Sequence, residues 1–314
     1  MTAQLPKKEL GATGMEISRV GFGAWAIGGG DWEYSWGPQD DSQSIAAIER
    51  ALQLGINWID TAAVYGFGHS ESVVGRALAG VAERPYVFTK ASLLEGPGRR
   101  EYACLKRDSI RREVEASLTR LGTTAIDLYQ IHDAVPVEDL EEGWTTFREL
   151  KDEGLVKHIG VSNFTVEQMQ RISSIAPIET IQPQYSLIKR AAEDDLLPFA
   201  EREDIGVIVY SPMGSGMLAG KMSRERIAAL SEADWRRRDP GFLEPQLTEN
   251  LAAADRVRVV AEGLGVSPGA VAVAWTLRNP AVDGSIVGFR QSGQVDELVV
   301  AASVVLTEAD ANRL

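Results

Sequence analysis

The sequence predicts an α/β fold, a closed (β/α)8 TIM barrel with an N-terminal β-hairpin and an insertion after its seventh strand. Counting from Val20, eight short apolar segments alternate with segments of helical periodicity. A chain of 314 residues is long enough for one such barrel. No strand is followed by the Gly-x-Gly-x-x-Gly turn with which an open, doubly wound sheet holds a dinucleotide, so that alternative is disfavoured. We therefore expect residues 1–314 to form a single domain.

The strands are predicted from short apolar runs that end in polar or turn residues. The segment from Lys7 to Val20 is predicted to be a hairpin, because two β-prone arms flank a Gly11-Ala12-Thr13-Gly14 turn. The predicted barrel strands cover residues 20–27, 57–60, 86–90, 126–132, 158–162, 180–185, 207–211 and 285–289.

Apolar residues at intervals of three and four predict the helices between these strands. The first helix begins near Asp41 and Ser42, residue types that are typical of a helix N-cap. The apolar stripes are Ile45, Ile48, Leu52 and Ile56, then Ile110, Val114, Leu118 and Leu121, then Leu140, Trp144, Phe147 and Leu150, with a further helix over 70–79. About 70 residues separate Pro212 from Ile286. In a barrel this insertion lies over the C-terminal face, where active sites are found.

Composition excludes several classes of function. The formal net charge is −13, so no nucleic-acid surface is expected, and Arg236-Arg237-Arg238 is interpreted as a solvated loop or helix face. The single Cys104 cannot form an intramolecular disulfide, and His69, His132 and His158 offer no ligand cluster, so no metal is expected. No signal peptide and no apolar run near the roughly 20 residues of a membrane helix are present, which favours a cytoplasmic protein without a membrane partner.

Four polar side chains are predicted to meet at consecutive strand ends. Asp60 ends the second strand and Tyr65 follows it, Lys90 ends the third strand and His132 ends the fourth. A buried lysine needs a carboxylate partner, which Asp60 can supply, and an ammonium beside a phenol is expected to lower the pKa of Tyr65. His132 can orient a carbonyl oxygen that the phenol protonates. The set therefore suggests a proton-transfer site for carbonyl reduction.

Other interpretations of these residues remain open at this point. Singly, Asp60 could cap a turn, Tyr65 could pack as an ordinary aromatic, Lys90 could lie at the surface and His132 could be a core histidine. A strand-end lysine also occurs in barrel lyases that form a Schiff base, although a firmly paired Lys90 would be a poor nucleophile. A cofactor-binding regulatory subunit with little turnover is a further alternative.

Several motifs resemble those of the aldo-keto reductase family. The first is Trp58-Ile59-Asp60-Thr61-Ala62-Ala63-Val64-Tyr65-Gly66, with Glu71 and Gly75 downstream. Later ones are Tyr129-Gln130-Ile131-His132, Gly160-Val161-Ser162-Asn163-Phe164 and Tyr210-Ser211-Pro212-Met213-Gly214-Ser215-Gly216. The resemblance covers essentially the whole chain, and it implies a barrel that transfers hydride from NADPH, less often NADH, to aldehydes and ketones.

The resemblance also implies roles for individual residues. Tyr65 would be the general acid, Asp60 and Lys90 the pair that tunes it, and His132 the orienting group. The implied contacts to the nicotinamide and pyrophosphate are Ser162, Asn163, Gln182, Tyr210, Ser211, Met213, Ser215 and Gly216. Those to the adenosine phosphate are Gly288, Arg290, Gln294 and Glu297.

NADP is the expected cofactor, with NAD possible. Arg290 suits a 2′-phosphate because a guanidinium can grip its oxygens bidentately. Leu298 departs from the asparagine that is usual in the family, which weakens the expected contact to adenine. The substrate, a small carbonyl compound or alcohol, is expected to lie against Trp25, Trp32, Trp36 and Phe67. Both a monomer and a homo-oligomer are compatible with the sequence.

Overall fold

The computed structural model describes residues 5–314, and these contain a closed barrel of eight parallel strands. The barrel confirms the predicted fold class, and its strands neighbour one another in the order β3, β4, β5, β8, β9, β10, β11 and β12. The strands are β1 (Lys7–Glu9), β2 (Glu16–Ser18), β3 (Val20–Gly23), β4 (Trp58–Asp60), β5 (Tyr86–Ala91), β6 (Leu93–Glu95), β7 (Glu101–Ala103), β8 (Ile126–Ile131), β9 (Val156–Ser162), β10 (Thr180–Gln182), β11 (Gly206–Val209) and β12 (Gly284–Gly288).

The helices pack around the outside of the barrel and form part of the insertion. They are α1 (Asp41–Gln53), α2 (His69–Ala77), α3 (Arg107–Leu121), α4 (Leu140–Asp152), α5 (Val166–Ile172), α6 (Leu196–Arg202), α7 (Arg224–Ala228), α8 (Gln246–Leu264), α9 (Pro268–Leu277), α10 (Ser292–Leu298) and α11 (Glu308–Ala311). Within residues 5–314, no individual helix combines the length and the apolar content needed to cross a membrane. Helices α8 and α9 have that length and apolar content only when taken together, and they are bent at 96° to each other.

The N-terminal hairpin confirms its prediction and closes one end of the barrel. Strands β1 and β2 pair antiparallel, and Leu10 and Ile17 are buried in one cluster with Trp58. The Trp58 indole donates to the Ser18 carbonyl at 2.8 Å, and its ring lies so close to Gly21 that a Cβ there would be 2.2 Å away. Among residues 5–314 the hairpin and Trp58 therefore fill this end of the barrel, which leaves the C-terminal end of the strands for a ligand.

The structure shortens several predicted strands and adds a second hairpin. The first barrel strand ends at Gly23 rather than residue 27, and a 3-10 turn over Trp25–Ile27 follows. The chain bends there as Ala24 donates its N–H to the Asp60 carbonyl at 2.8 Å. Strands β6 and β7 form an antiparallel hairpin after β5 that the sequence analysis missed. This hairpin stands beside the C-terminal end of the barrel.

The insertion after β11 contacts the loop that follows β3. Trp235 donates its backbone N–H to the Ser35 carbonyl at 3.3 Å, and Arg238 donates to the Glu33 carbonyl at 2.6 Å. The two segments thus meet across the mouth of the barrel, about 200 residues apart in sequence.

Candidate active site

Three of the four predicted strand-end residues form one hydrogen-bonded cluster. The Lys90 ammonium donates to Asp60 Oδ1 at 2.7 Å, to the Thr61 carbonyl at 3.0 Å and to Tyr65 Oη at 3.4 Å. Lys90 is 1% exposed and Asp60 is 2% exposed. Strands β4 and β5 are adjacent and parallel, with Asp60 opposite Phe88, so Asp60 and Lys90 lie at the same rim. The ammonium therefore has an oxygen for each of its three donors.

A buried layer of amides, one of which the sequence analysis missed, lies under this cluster. Gln182 Nε2 donates to Asp60 Oδ2 at 2.8 Å and is 3.4 Å from Gln130 Oε1. Gln130 belongs to the motif that ends in His132, yet it was not singled out. Both oxygens of Asp60 are thus bound, and the carboxylate is held in one orientation.

The His132 ring lies against the Tyr65 ring, with centroids 5.7 Å apart and nearly perpendicular planes. Burial lowers the pKa of His132 well below its usual 6.5, and the positive charge of Lys90 lowers it further. The imidazole is therefore neutral near pH 7, with one N–H to donate and one nitrogen to accept. The N–H of this form can donate a hydrogen bond to a carbonyl oxygen without giving up its proton, so it does not compete with Tyr65 as the acid.

The expected lowering of the Tyr65 pKa is wrong in direction. Burial raises the pKa of Tyr65 well above its usual 10, and the Asp60 charge raises it further. The physical reason is that Lys90 is already paired with Asp60, so the pair acts on the phenol as a dipole and not as a free cation. Burial also lowers the pKa of Lys90, and Asp60 opposes that shift. Tyr65 is consequently a protonated phenol across the neutral range.

A cleft of about 770 Å³ opens above the cluster and runs along the C-terminal rim. Asp60, Tyr65 and His132 line its floor, whereas Lys90 lies behind Tyr65 and does not reach it. The cleft also takes in every residue predicted to bind cofactor: Ser162, Asn163, Gln182, Tyr210, Ser211, Met213, Ser215, Gly216, Gly288, Arg290, Gln294 and Glu297. The structure thus brings these distant sequence segments to one surface.

The residues next to the catalytic cluster are tied to one another. Asn163, whose φ is 58°, donates through Nδ2 to the His132 carbonyl at 3.0 Å and accepts from Tyr210 Oη at 2.9 Å. Ser162 Oγ donates to the Gln182 carbonyl at 2.9 Å. Burial raises the pKa of Tyr210 to about 12, so its ring is uncharged. These bonds fix an aromatic face and amide groups beside Tyr65, a surface that suits a flat amide-bearing ring.

The turn after β11 has the backbone shape of an anion cradle. Ser211, Gly214, Ser215 and Gly216 all have positive φ, between 55° and 88°. The N–H groups of Gly214 and Gly216 bond to the Ser211 and Met213 carbonyls, whereas that of Ser215 has no backbone acceptor among residues 5–314. A free N–H in a tight turn of this kind is what short loops offer to a phosphate. A Cβ on Gly214 would lie 2.6 Å from Ile188, so glycine is needed there for packing as well. The turn fits a pyrophosphate.

Arg290 is more engaged than the sequence analysis expected. Its guanidinium donates to Gln39 Oε1 at 2.7 Å, to the Trp36 carbonyl at 3.3 Å and to the Pro38 carbonyl at 2.5 Å. Three of its five N–H groups therefore hold the loop before α1, and two remain. Gln294 Oε1 accepts from the Arg290 backbone N–H at 2.7 Å, which leaves only the Gln294 amide nitrogen for a ligand.

Other cations line this end of the cleft and were not predicted to do so. They are Lys221, Arg226 and Arg236. Arg236 was interpreted as part of a solvated face, but it pairs with Asp234 at 2.6 Å and lies 4.6 Å above the centre of the Trp36 ring. Lys221 and Arg226 form no ion pair with any residue between 5 and 314. The end of the cleft that contains Arg290 is accordingly rich in cations.

The opposite end of the cleft has an aromatic wall, as predicted, with one exception. Trp25 and Trp32 line it, and the Trp25 and Tyr65 rings are nearly parallel with centroids 6.3 Å apart. Trp36 also lines the cleft, between Trp25 and Arg236. Phe67 does not line the cleft, because it packs edge-on behind Trp32, 6.1 Å away. The missed hairpin of β6 and β7 contributes Leu93 and Glu101 to the same wall. A short run of ordinary residues gave no signal for that contribution.

Two rival site chemistries find no support in this geometry. Among residues 5–314, no group of three or more histidine, cysteine or carboxylate side chains is placed to hold a metal ion. A Schiff base would need a free lone pair on Lys90 facing the substrate, but its nitrogen is buried and bound to three oxygens.

These observations define a carbonyl oxidoreductase of the nicotinamide-dependent type. The chain belongs to the aldo-keto reductase family, because the model of the Aldo/keto reductase family matches residues 19–314.

Individual relatives agree with this assignment. The chain is 39% identical to aldo-keto reductase YhdN of Bacillus subtilis over 301 residues, covering 95% of this chain and 89% of that protein. It is 33% identical to the NADH-specific methylglyoxal reductase of Escherichia coli over 323 aligned residues, covering 98% and 96%. The structure of a glycerol dehydrogenase from Gluconobacter oxydans superposes with a TM-score of 0.87 at 38% identity, covering 98% and 93% of the two chains.

Proposed function

We propose that this protein is an NADP(H)-dependent carbonyl reductase that interconverts an aldehyde or ketone and its alcohol, with Tyr65 as general acid and base. The observation that supports this proposal most strongly is the placement of Tyr65 and His132 on the floor of the cleft, with Lys90 behind the phenol. We take the whole chain to act as one domain, because the cleft draws residues from both its first and last thirds.

In reduction, the bound substrate oxygen lies between the Tyr65 hydroxyl and the neutral imidazole of His132. The imidazole N–H holds the oxygen, and the phenol gives its proton to the developing alkoxide. A reduced nicotinamide supplies the hydride when it is bound. The phenolate that remains accepts a hydrogen bond from Lys90, whose charge Asp60 keeps in place.

The cleft fits a nicotinamide dinucleotide along its length. Tyr210 and Asn163 present an aromatic face and an amide next to Tyr65, and the turn at Ser211 to Gly216 suits the pyrophosphate. The remaining N–H groups of Arg290, together with the neighbouring cations, favour a third phosphate and thus NADP.

Two observations keep NADH as a second candidate cofactor. Most of the Arg290 guanidinium is engaged by the loop before α1. One relative, the methylglyoxal reductase of Escherichia coli, is NADH-specific by name.

Two alternative functions make different predictions. A regulatory subunit would bind NADPH without oxidising it, whereas the intact cluster of Asp60, Tyr65, Lys90 and His132 favours turnover. A Schiff-base lyase would be trapped by borohydride on Lys90, and the three hydrogen bonds of that ammonium argue against it.

The test is NADPH oxidation with an aldehyde and ketone panel, in the wild type and in Tyr65→Phe. We expect Tyr65→Phe to lower kcat by at least about 100-fold, the scale of general acid catalysis, while the NADPH dissociation constant stays within about twofold. Tyr102→Phe is the matched control, because Tyr102 is 52% exposed and outside the cleft. Equal loss of NADPH binding and turnover in Tyr65→Phe would count against the assigned role.

A further inference from the structure

The substrate end of the cleft carries carboxylates that no step of the proposed mechanism uses. Glu101, on β7, and Asp133, next to His132, both line the cleft wall. Neither forms an ion pair with any residue in the range 5–314. By contrast Glu95, directly opposite Glu101 in the hairpin, is paired with Arg99 at 3.2 Å. Of these two hairpin carboxylates, the one without an ion pair among the described residues is thus the one that lines the cleft.

The negative charges near Glu101 add to the effect of burial on its pKa. Burial, together with the negative charges of Glu33 and Asp133, raises the pKa of Glu101 to about 7. Burial also raises the pKa of Asp133. Such shifts report a region where negative charge lacks a partner. The cation on this side, Arg238, donates to the backbone carbonyl of Glu33 and not to a carboxylate.

An independent observation at the same wall is its set of aromatic faces. The Trp32 ring lies 6.3 Å from Tyr34 and 6.3 Å from Tyr65, and Trp25 lies 6.3 Å from Tyr65. Aromatic faces attract cations, most strongly when several surround one site. The Trp32 side chain is 7% exposed, and its indole N–H has no partner within the described part of the chain.

We propose, on the basis of the reductase function above, that Glu101 is a specificity-determining residue. With Asp133 beside it, Glu101 makes the substrate end select carbonyl compounds that carry an ammonium group over neutral ones, and exclude those that carry a carboxylate. Carboxylates and aromatic faces both stabilise a cation in this cleft, whereas an anion meets two unpaired like charges.

The test uses three benzaldehydes that differ in charge at the para position: trimethylammonio, tert-butyl and carboxylate. The first two groups have nearly the same shape, so their ratio of kcat/KM isolates charge. We expect Glu101→Gln to lower the ratio of cationic to neutral substrate about tenfold, and to raise the ratio of anionic to neutral. Comparison within each variant cancels the different intrinsic reactivities of the aldehydes. Glu115→Gln, an exposed change on α3, controls for the altered net charge.

A pH series distinguishes this role from a purely structural one. In the wild type, the ratio of cationic to neutral substrate should rise through about pH 7 as Glu101 ionises, and it should be flat there in Glu101→Gln. The groups that surround Glu101 are Glu33, Tyr34, Tyr65 and Asp133, with Arg238 beside Glu33. The two tyrosines stay protonated over this range, because their pKa values are raised.

Binding of the corresponding benzyl alcohols, followed by tryptophan fluorescence, tests the inference without turnover. The trimethylammonio alcohol should bind about tenfold more weakly to Glu101→Gln than to the wild type, and the tert-butyl alcohol equally well to both. Unchanged ratios in both assays would overturn the role of Glu101 while leaving the reductase function intact. Charge-selective binding without reduction of any aldehyde would instead refute the proposed function and retain the role of Glu101.

Discussion

Glu113 offers a test of how the end of strand β5 is held in place. It lies on α3, 6% exposed, where its Oε2 accepts the Ser92 backbone N–H at 3.0 Å and its Oε1 accepts from Ser109 Oγ at 3.2 Å. Ser92 has a φ of 91° and follows Lys90 by two residues. Glu113 therefore holds the chain in an uncommon conformation at the end of β5, next to Lys90.

The size of the expected change in the free energy of unfolding follows from the pKa of Glu113, which burial raises from 4.5 to about 7. A carboxyl whose folded-state pKa is raised stabilises the fold below the unfolded pKa and loses that contribution as pH rises through the folded pKa. The shift of about 2.5 units is worth about 3 kcal/mol, and about 2 kcal/mol of it falls between about pH 5.5 and 8.5. Glutamine can keep both hydrogen bonds and does not titrate.

We therefore expect Glu113→Gln to gain stability relative to the wild type as pH rises. Urea unfolding, followed by tryptophan fluorescence at about pH 5.5 and about pH 8.5, would measure the free energy of unfolding of both proteins. Their difference should grow by about 2 kcal/mol in favour of the variant. Glu115→Gln, exposed on the same helix, should show no such growth. A difference for Glu113→Gln that stays constant with pH would refute the reasoning.

Three further outcomes are expected. Lys90→Met leaves a buried carboxylate without its partner, so it should destabilise the fold by about 3–5 kcal/mol in urea unfolding and abolish reduction. With a neutral aldehyde, kcat/KM for reduction should be flat between about pH 7 and 9, because the pKa of Tyr65 is raised and that of His132 lowered; an inflection there would contradict those directions. Arg290→Ala should weaken NADPH binding far more than NADH binding in titrations, and equal weakening of the two would remove the reason for naming NADP.

The site residues whose positions were predictable from sequence are those at the ends of the barrel strands. An apolar strand that ends in Asp60 or Lys90 delivers that side chain to the C-terminal rim of any barrel, because the strands are parallel and side by side. The position of each residue therefore depended on local pattern plus one topological rule. Ser162, Gln182 and Tyr210 also lie at or just after strand ends, but their prediction came from the resemblance to the family.

The parts that could not be predicted depend on contacts between distant segments or on competing energies. Arg236 lies far along the chain from Trp36, and only the folded insertion brings the two together. The hairpin that carries Glu101 is too short to give a periodic signal. The pKa of Tyr65 depends on whether burial or the Lys90 charge dominates, and that balance is fixed by the pairing geometry of the folded chain.

The opposite charges at the two ends of the cleft have a consequence for how a dinucleotide is captured. The chain as a whole carries a net charge of −13, so most of its surface repels a phosphate-bearing molecule. The cations around Arg290 attract phosphates at one end of the cleft, while Glu101 and Asp133 repel them at the other end. A dinucleotide whose phosphates approach the end with Glu101 and Asp133 is repelled, whereas one whose phosphates approach Arg290 is attracted. The electric field of the protein thus favours one orientation of the approaching dinucleotide. This effect acts over about the Debye length, which is about 8 Å at physiological ionic strength.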